Sequence, residues 1–276
     1  MCLIDSLSTW LGRRLAEFLN GRGGYYKPFA VTDTAVLRRV LRPADVLLVE
    51  GDRRVSVAIK YLTQSCWSHA CLYVGDALAE AGEPDPPALI EADICDGVVA
   101  VPLSHYAGLN TRICRPIGLS ESDASRVVEY AVGRLGDTYD MKNVIDLVRY
   151  LLPEPPIPTR YRRRMLALGS GDPTRAICST LMAQAFQSIR YPILPRRQDR
   201  RDSNGGDGLQ DEEILRVRHF SHFTPRDFDL SPYFQVIKPL LDAGFDFHKL
   251  KWSPDGGGDY LAHLPEATDS EVVGVG

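Results

Sequence analysis

Apolar residues occur in short runs bounded by turn residues, and this pattern predicts a series of β-strands in the first half of the chain. Several of the runs are rich in valine, isoleucine and leucine, which favour strands. The predicted strands are Val46–Glu50, Cys66–Gly75, Ala88–Asp93, Gly97–Leu103 and Thr111–Pro116. Because strands adjacent in sequence usually pair, we expect a small, mostly antiparallel sheet arranged as a meander.

Elsewhere the apolar residues recur at spacings of three and four, which predicts helices. A capping-box-like sequence begins at Ser120, and Gly136 is predicted to end the helix that follows it. The predicted helices are Ile4–Leu19, Thr34–Leu41, Val55–Tyr61, Ser120–Leu135, Lys142–Leu152, Arg160–Leu168 and Ile177–Phe186. Two later stretches, Phe223–Phe228 and Phe234–Lys238, are predicted to be extended. Together these elements predict an α+β fold in which a small antiparallel sheet packs against helices.

Changes in composition divide the chain into four parts. Residues 1–24 are predicted to form an N-terminal amphipathic helix, and 25–195 the main domain. Residues 196–213 are almost wholly polar and predict a flexible loop, and 214–276 are expected to be a C-terminal extension that packs on the core and ends in a frayed tail.

The N-terminal helix has two open interpretations. Its apolar stripe suits docking on the main domain. Arg13, Arg14 and Arg22 accompany that stripe and Trp10, and basic residues beside such a stripe also suit peripheral contact with an anionic membrane.

Overall composition narrows the classes of function. The chain has 276 residues, 44% of them hydrophobic and 25% charged, and a net charge of -4, which gives no reason to expect nucleic acid as a partner. No apolar run approaches the roughly 18 to 20 residues that span a bilayer, and the start of the chain lacks a secretory pattern. We therefore expect a cytoplasmic protein; the oligomeric state is not predicted.

Cys178 is placed where a cysteine can become a nucleophile. It lies at the first turn of a predicted helix, where the positive end of the helix dipole favours the thiolate. The backbone N–H groups of that turn can also stabilise an oxyanion. His69 and Glu91 lie on neighbouring predicted strands, where an imidazole could accept the thiol proton and a carboxylate could orient the ring.

Several residues around this constellation have alternative interpretations. Glu91 could pair with Arg112 or Arg115 instead of a histidine. Cys66 and Cys71 flank His69 closely enough to suggest metal binding, but in a strand Cys66 and His69 point to opposite faces while His69 and Cys71 share one. The metal site is therefore disfavoured, and both cysteines are interpreted as packing residues.

The order of these residues resembles the permuted papain-like amidases, the YiiX/YaeF-type branch of the NlpC-like cysteine hydrolase superfamily. The resemblance covers roughly 43–191. It is carried by the segments Leu62–Gly75, Ile90–Ala92, Gly97–Val99, Gly136–Asp140 and Ile177–Ser179. In that family a circular permutation places the histidine strand before the cysteine helix, as in this chain.

The resemblance implies a circularly permuted papain-like (NlpC-type) fold with a catalytic triad at Cys178, His69 and Glu91. It also implies that Tyr139 lies near the cleft and supplies a hydroxyl to the oxyanion or the substrate. The expected activity is hydrolysis or transfer at an amide or ester carbonyl through a thioester, without a cofactor, on a small peptide or a lipid acyl substrate. The alternative is a non-catalytic lipid- or peptide-binding module on the same scaffold.

Overall fold

The fold is taken from a computed structural model that describes most of the residues between 31 and 239. The described residues are 14, 18, 20, 21, 28, 31–93, 95–138, 177–194, 196–197, 215–216, 218–239, 246 and 248. The chain divides into two compact units, Met1–Ala243 and Gly244–Gly276. All the elements below belong to the first unit, and of the second only Asp246 and His248 are described.

The described residues form an α+β structure, as predicted. The strands are β1 (Val46–Glu50), β2 (His69–Tyr73), β3 (Pro87–Asp93), β4 (Gly97–Pro102), β5 (Asn110–Pro116), β6 (Arg196–Arg197), β7 (Leu215–Arg216) and β8 (Phe234–Ile237). The helices are α1 (Thr34–Val40), α2 (Arg54–Thr63), α3 (Glu121–Val132), α4 (Ile177–Ser188) and α5 (Pro225–Leu230). Short 3₁₀ helices occupy Leu103–Tyr106 and Phe220–His222.

Six strands form one antiparallel sheet in the order β4-β3-β2-β1-β5-β8. The predicted meander is correct for β2, β3 and β4 and wrong for β5, which pairs with β1 instead of β4. The buried centre of β5, at Ile113 and Cys114, is covered on both edges by β1 and β8. Half-buried β4 is left at the edge of the sheet.

The sheet is buried on both faces, and the residues of β1 show the division. Val46 and Leu48 belong to an apolar cluster that includes residues of α3 and α4. Leu47 and Val49 belong to a second cluster with Leu37 of α1 and Leu103. Alternate side chains of a strand point to opposite faces, so α3 and α4 cover one face while α1 and the first 3₁₀ helix cover the other.

Local chemistry explains where the helices begin and end. The Ser120 side chain accepts a hydrogen bond from the Asp123 N–H and caps α3, as the sequence predicts. The helix ends at Val132 with Gly133 as its cap, so the predicted end at Gly136 is wrong; Gly136 follows at a φ of 84°. The predicted extended segment 223–228 is also wrong in part.

Residues Pro225–Leu230 of that segment form α5. A capping box between Thr224 and Asp227 starts this helix, and Pro225 stands at its first turn, where its missing N–H costs nothing. These two features stabilise a short helix where the apolar pattern alone suggests an extended chain.

Several predicted elements lie wholly or mostly outside the described residues. They are the helices at 142–152 and 160–168, the polar loop at 196–213 except for 196–197, and most of the helix at 4–19. Near the end of that N-terminal helix, Phe18 packs on α2, with the Arg54 guanidinium carbon 4.2 Å from the centre of its ring. Among the described residues, no helix has the length and apolar character needed to cross a membrane.

Candidate active site

The pairing of β2 and β3 brings three polar side chains to one face of the sheet. The strands pair at Leu72 with Ile90 and at Tyr73 with Leu89. Continuing this antiparallel register places Cys71 opposite Glu91, and His69 lies two residues further along β2. Since side chains alternate with a period of two, His69, Cys71 and Glu91 share a face.

His69 and Glu91 are in direct contact. The His69 Nε2 lies 3.1 Å from the Glu91 Oε2, in hydrogen-bonding and ion-pairing range. Glu91 is only 4% exposed, so this contact forms away from bulk water. The carboxylate therefore holds one nitrogen of the imidazole in a defined orientation.

Two further donors reach the same carboxylate oxygen. The Cys71 thiol donates to Glu91 Oε2 at 3.2 Å, and the Tyr106 hydroxyl donates to it in a short hydrogen bond. Burial raises the pKa of Glu91. The His69 charge and the hydrogen bonds from His69, Tyr106 and Cys71 outweigh that effect and lower the pKa to about 2. Glu91 is consequently an anion at neutral pH.

Cys178 reaches the other side of His69. It lies in the first turn of α4, is 3% exposed, and lies close enough to His69 for the imidazole to lower the pKa of its thiol. Because Nε2 already faces Glu91, Nδ1 is the ring nitrogen that remains for the thiol. Cys178, His69 and Glu91 thus form a connected chain of side chains.

The Ala70 amide of β2 lies beside the Cys178 sulfur. The Tyr73 amide donates toward β1, to Asp45, and the Val74 amide donates to Ala88 of β3. By this alternation the Ala70 amide points toward β3, but the described pairing of β2 with β3 ends at Leu72. The Ala70 backbone instead lies beside the Cys178 thiol and lowers its pKa.

These contacts shift the pKa values of the thiol and the imidazole in opposite directions. Burial raises the pKa of Cys178, but the His69 charge and the hydrogen bonds from His69 and Ala70 outweigh it, and the pKa is lowered. Burial lowers the pKa of His69, whereas the charges of Cys178 and Glu91 raise it well above its ordinary value. Both shifts favour a thiolate–imidazolium pair.

The same cluster contains donor atoms suited to a metal. The ligand atoms of His69, Cys71 and Glu91 all lie within 4.8 Å of one another, and this donor set matches what Zn²⁺ prefers. However, the three groups already satisfy one another by hydrogen bonds, and burial followed by the Glu91 charge raises the pKa of Cys71 to about 12. Cys71 is therefore a neutral hydrogen-bond donor in this arrangement.

The structure brings together three of the four predicted site residues. Cys178, His69 and Glu91 meet, whereas Tyr139 lies outside the described residues. Arg112 and Arg115, the alternative partners of Glu91, pair instead with Asp229 and Asp45.

The prediction that Cys66 and Cys71 are packing residues is wrong for Cys66 and confirmed for Cys71, which is fully buried in the core. Cys66 is exposed, and the Cys71 thiol, besides packing in the core, donates to Glu91. Tyr106 also belongs to the site and was not predicted. The alternation that places Cys71 on the face of His69 was a usable signal, but nothing in the sequence pattern pointed to Tyr106.

Comparison with solved structures gives a weak likeness in fold. No protein-family model matches the sequence. No curated protein matches it either. The solved structure of the metalloprotein yiiX from Escherichia coli O157:H7 is similar at 18% sequence identity and a TM-score of 0.42, over 71% of this chain and 96% of that chain.

Proposed function

We propose that the protein is a cysteine hydrolase or acyltransferase, built on a permuted papain-like scaffold, that acts on an amide or ester carbonyl. The observation that carries the proposal is the connected chain of Cys178, His69 and Glu91. A buried thiol whose pKa is lowered by an imidazolium, itself held by a carboxylate, is the arrangement that activates a cysteine nucleophile.

The first half of the proposed reaction forms a thioester. The Cys178 thiolate attacks the carbonyl carbon, a C–S bond forms, and the carbonyl oxygen becomes an oxyanion. Backbone N–H groups in the first turn of α4 are suited to stabilise that charge. The His69 imidazolium then donates its proton to the leaving nitrogen or oxygen as the bond to carbon breaks.

The second half releases the acyl group. Neutral His69 accepts a proton from water, or from a second nucleophile in a transferase, as that oxygen attacks the thioester carbon. The C–S bond breaks, and Cys178 leaves as the thiolate beside the regenerated imidazolium. Glu91 stays ionised throughout and stabilises the imidazolium. The proposed substrate is a small peptide or a lipid acyl group.

Selective alkylation of Cys178 tests the activated thiol. We expect iodoacetamide at pH 6 to modify Cys178 at least about tenfold faster than Cys66 or Cys114, because thiolate concentration controls the rate. Cys66 is a control for exposure, since it is exposed yet its pKa is raised by burial and by Glu50. Cys114 is a control for burial, with a pKa raised by burial to about 12.

Turnover distinguishes an enzyme from a binding module. Cys178→Ala should abolish hydrolysis of a panel of activated esters and peptide amides, by about 10³-fold or more, while Cys66→Ala should leave it unchanged. Equal alkylation rates for the three cysteines would contradict the activated thiol. Selective alkylation without turnover, in a protein that copurifies with bound lipid or peptide, would favour the non-catalytic module.

A further inference from the structure

We propose that Tyr106 is a positioning residue, which, with Cys71, fixes the Glu91 carboxylate against His69. This inference rests on the proposed function, because it assigns a role in ordering the same site. Tyr106 acts through Glu91 and is assigned no contact with the substrate.

The hydrogen bonds to Glu91 carry the inference. Glu91 Oε2 faces His69 Nε2 at 3.1 Å, and the same oxygen accepts from the Cys71 thiol and from the Tyr106 hydroxyl. A glutamate side chain has three rotatable bonds, so one contact with an imidazole leaves it free to swing. Donors arriving from β2 and from the 3₁₀ helix hold the oxygen from separate directions.

Tyr106 is the stronger of the two supporting donors. A phenol O–H forms a charge-assisted hydrogen bond with a carboxylate, whereas a thiol is a weak donor. Tyr106 ends the 3₁₀ helix that follows β4, the strand that pairs with β3 beside Glu91. The element that carries the hydroxyl is thus anchored to the strand that carries the carboxylate.

The tyrosine ring is itself held in place. His105 packs edge-on against it, with ring centres 4.9 Å apart, and the ring of His69 lies 5.9 Å away at a tilt. Tyr106→Phe keeps these ring contacts and removes only the hydroxyl. The variant therefore separates the role of the hydroxyl from that of the ring.

Loss of that bond should be visible at His69. A carboxylate that is free to turn away pairs less well with the imidazolium, so the pKa of His69 should fall. The groups that face His69 are Cys71 beside it on β2, Glu91 on β3, Cys178 on α4 and Tyr106 on the 3₁₀ helix. Of these, Tyr106→Phe removes only the Tyr106 hydroxyl, whose neighbours are Glu91 and Cys71.

Histidine titration by NMR provides the test. Protein labelled with ¹⁵N-histidine is titrated, and the His69 signals are assigned by their loss in His69→Asn. We expect Tyr106→Phe to lower the pKa of His69 by roughly 1 pH unit and to slow alkylation of Cys178 about tenfold, as for loss of one hydrogen bond to a charged group. In a Glu91→Gln background, the same substitution should change neither quantity.

Tyr191→Phe is the matched control. The Tyr191 hydroxyl donates to the Tyr233 carbonyl oxygen at 2.6 Å and lies within the core on the α4 side of the sheet. Its loss should lower the melting temperature without moving the pKa of His69. A structural role for Tyr106 predicts that Tyr106→Phe behaves in the same way.

Three outcomes would overturn the inference: an unchanged pKa of His69 in Tyr106→Phe, a raised one, or an equal effect with and without Glu91. A raised pKa would mean that the hydroxyl weakens the charge of Glu91 and does not position it. If wild-type Cys178 is not alkylated selectively, the proposed function fails, but the His69 titration still decides the role of Tyr106.

Discussion

Two buried cysteines in different regions of the molecule show what activates a thiol in this protein. Cys178 lies in the first turn of α4 beside His69 and Ala70 of β2, whereas Cys114 lies in the middle of β5, which pairs with β1 and β8. Both are buried, at 3% and 0% exposure. Burial nevertheless raises the pKa of Cys114 to about 12, while the pKa of Cys178 is lowered.

The difference lies in the partners of each sulfur. Burial disfavours both thiolates, but Cys178 has the His69 imidazolium and the Ala70 amide beside it. For Cys114, burial has the largest effect on the pKa, and the negative charge of Asp229 raises the pKa further. Cys71 makes the same point, since it contacts the site, yet the Glu91 anion beside it keeps the thiol protonated. The charge of the neighbour, more than burial, separates the reactive cysteine from the inert ones.

Removing the imidazole should have the largest effect on this contrast. In His69→Asn, the Cys178 thiol keeps the cost of burial and loses its cationic partner, so its pKa should rise toward that of Cys114. At a pH below the pKa, each unit by which the pKa rises lowers the thiolate fraction tenfold. We therefore expect alkylation of Cys178 at pH 6 to slow by about 100-fold. The measurement is the pH dependence of iodoacetamide incorporation, mapped by mass spectrometry.

His248→Asn is the matched control for that variant, because His248 is an exposed histidine that belongs to no part of the proposed site. Rapid alkylation that persists in His69→Asn would show that the helix start and the Ala70 amide activate Cys178 without the imidazole. That result would contradict the thiolate–imidazolium pair.

A smaller effect is expected on stability through Glu91. The pKa of Glu91 is lowered from 4.5 to about 2 in the folded protein, so its contribution to stability is present above pH 4.5 and is lost as the pH falls through 2. The shift corresponds to about 3 kcal/mol. Urea unfolding between pH 2 and 6 should therefore show a loss of about this size in wild type that is absent in Glu91→Gln.

Asp85→Asn supplies the control for this titration. Asp85 pairs with Arg38 at 3.0 Å, but both side chains are 38% exposed, and surface pairs of this kind contribute roughly 0 to 1 kcal/mol. Its removal should leave the acid-dependent loss of stability nearly intact. A loss equal in wild type and Glu91→Gln would mean that Glu91 is not held as a buried anion.

The sheet was largely predictable from sequence because its strands follow the apolar pattern. Runs such as Val46–Glu50 are buried on both faces and bounded by turns, and the strand pattern reports that directly. The pattern carries no information on which edge of the sheet receives a later strand, so the pairing of β5 with β1 was missed. Capping at Thr224 is also invisible to apolar periodicity, which explains the missed helix α5.

The site was predictable to the extent that it depends on strand geometry. His69 and Glu91 lie on strands that are adjacent in sequence, so their meeting follows from ordinary antiparallel pairing. The approach of Cys178 depends on how α4 docks, more than 100 residues later, and only the order of motifs suggested it. Tyr106 reaches Glu91 through the 3₁₀ helix after β4, and no local pattern specifies the direction of such a turn.

The smallest effect should come from removing Cys114, the unreactive cysteine of the pair. Cys114→Ala removes a buried sulfur from the core, so we expect about 1 kcal/mol of destabilisation and a fall of a few degrees in melting temperature. Alkylation of Cys178 and the pKa of His69 should stay as in wild type, since Cys114 makes no described contact with either residue. Denaturant unfolding measures the loss of stability, and the alkylation profile measures the reactivity of Cys178. A change in Cys178 reactivity would show that β5 supports the site, and the two cysteines could no longer be treated as independent.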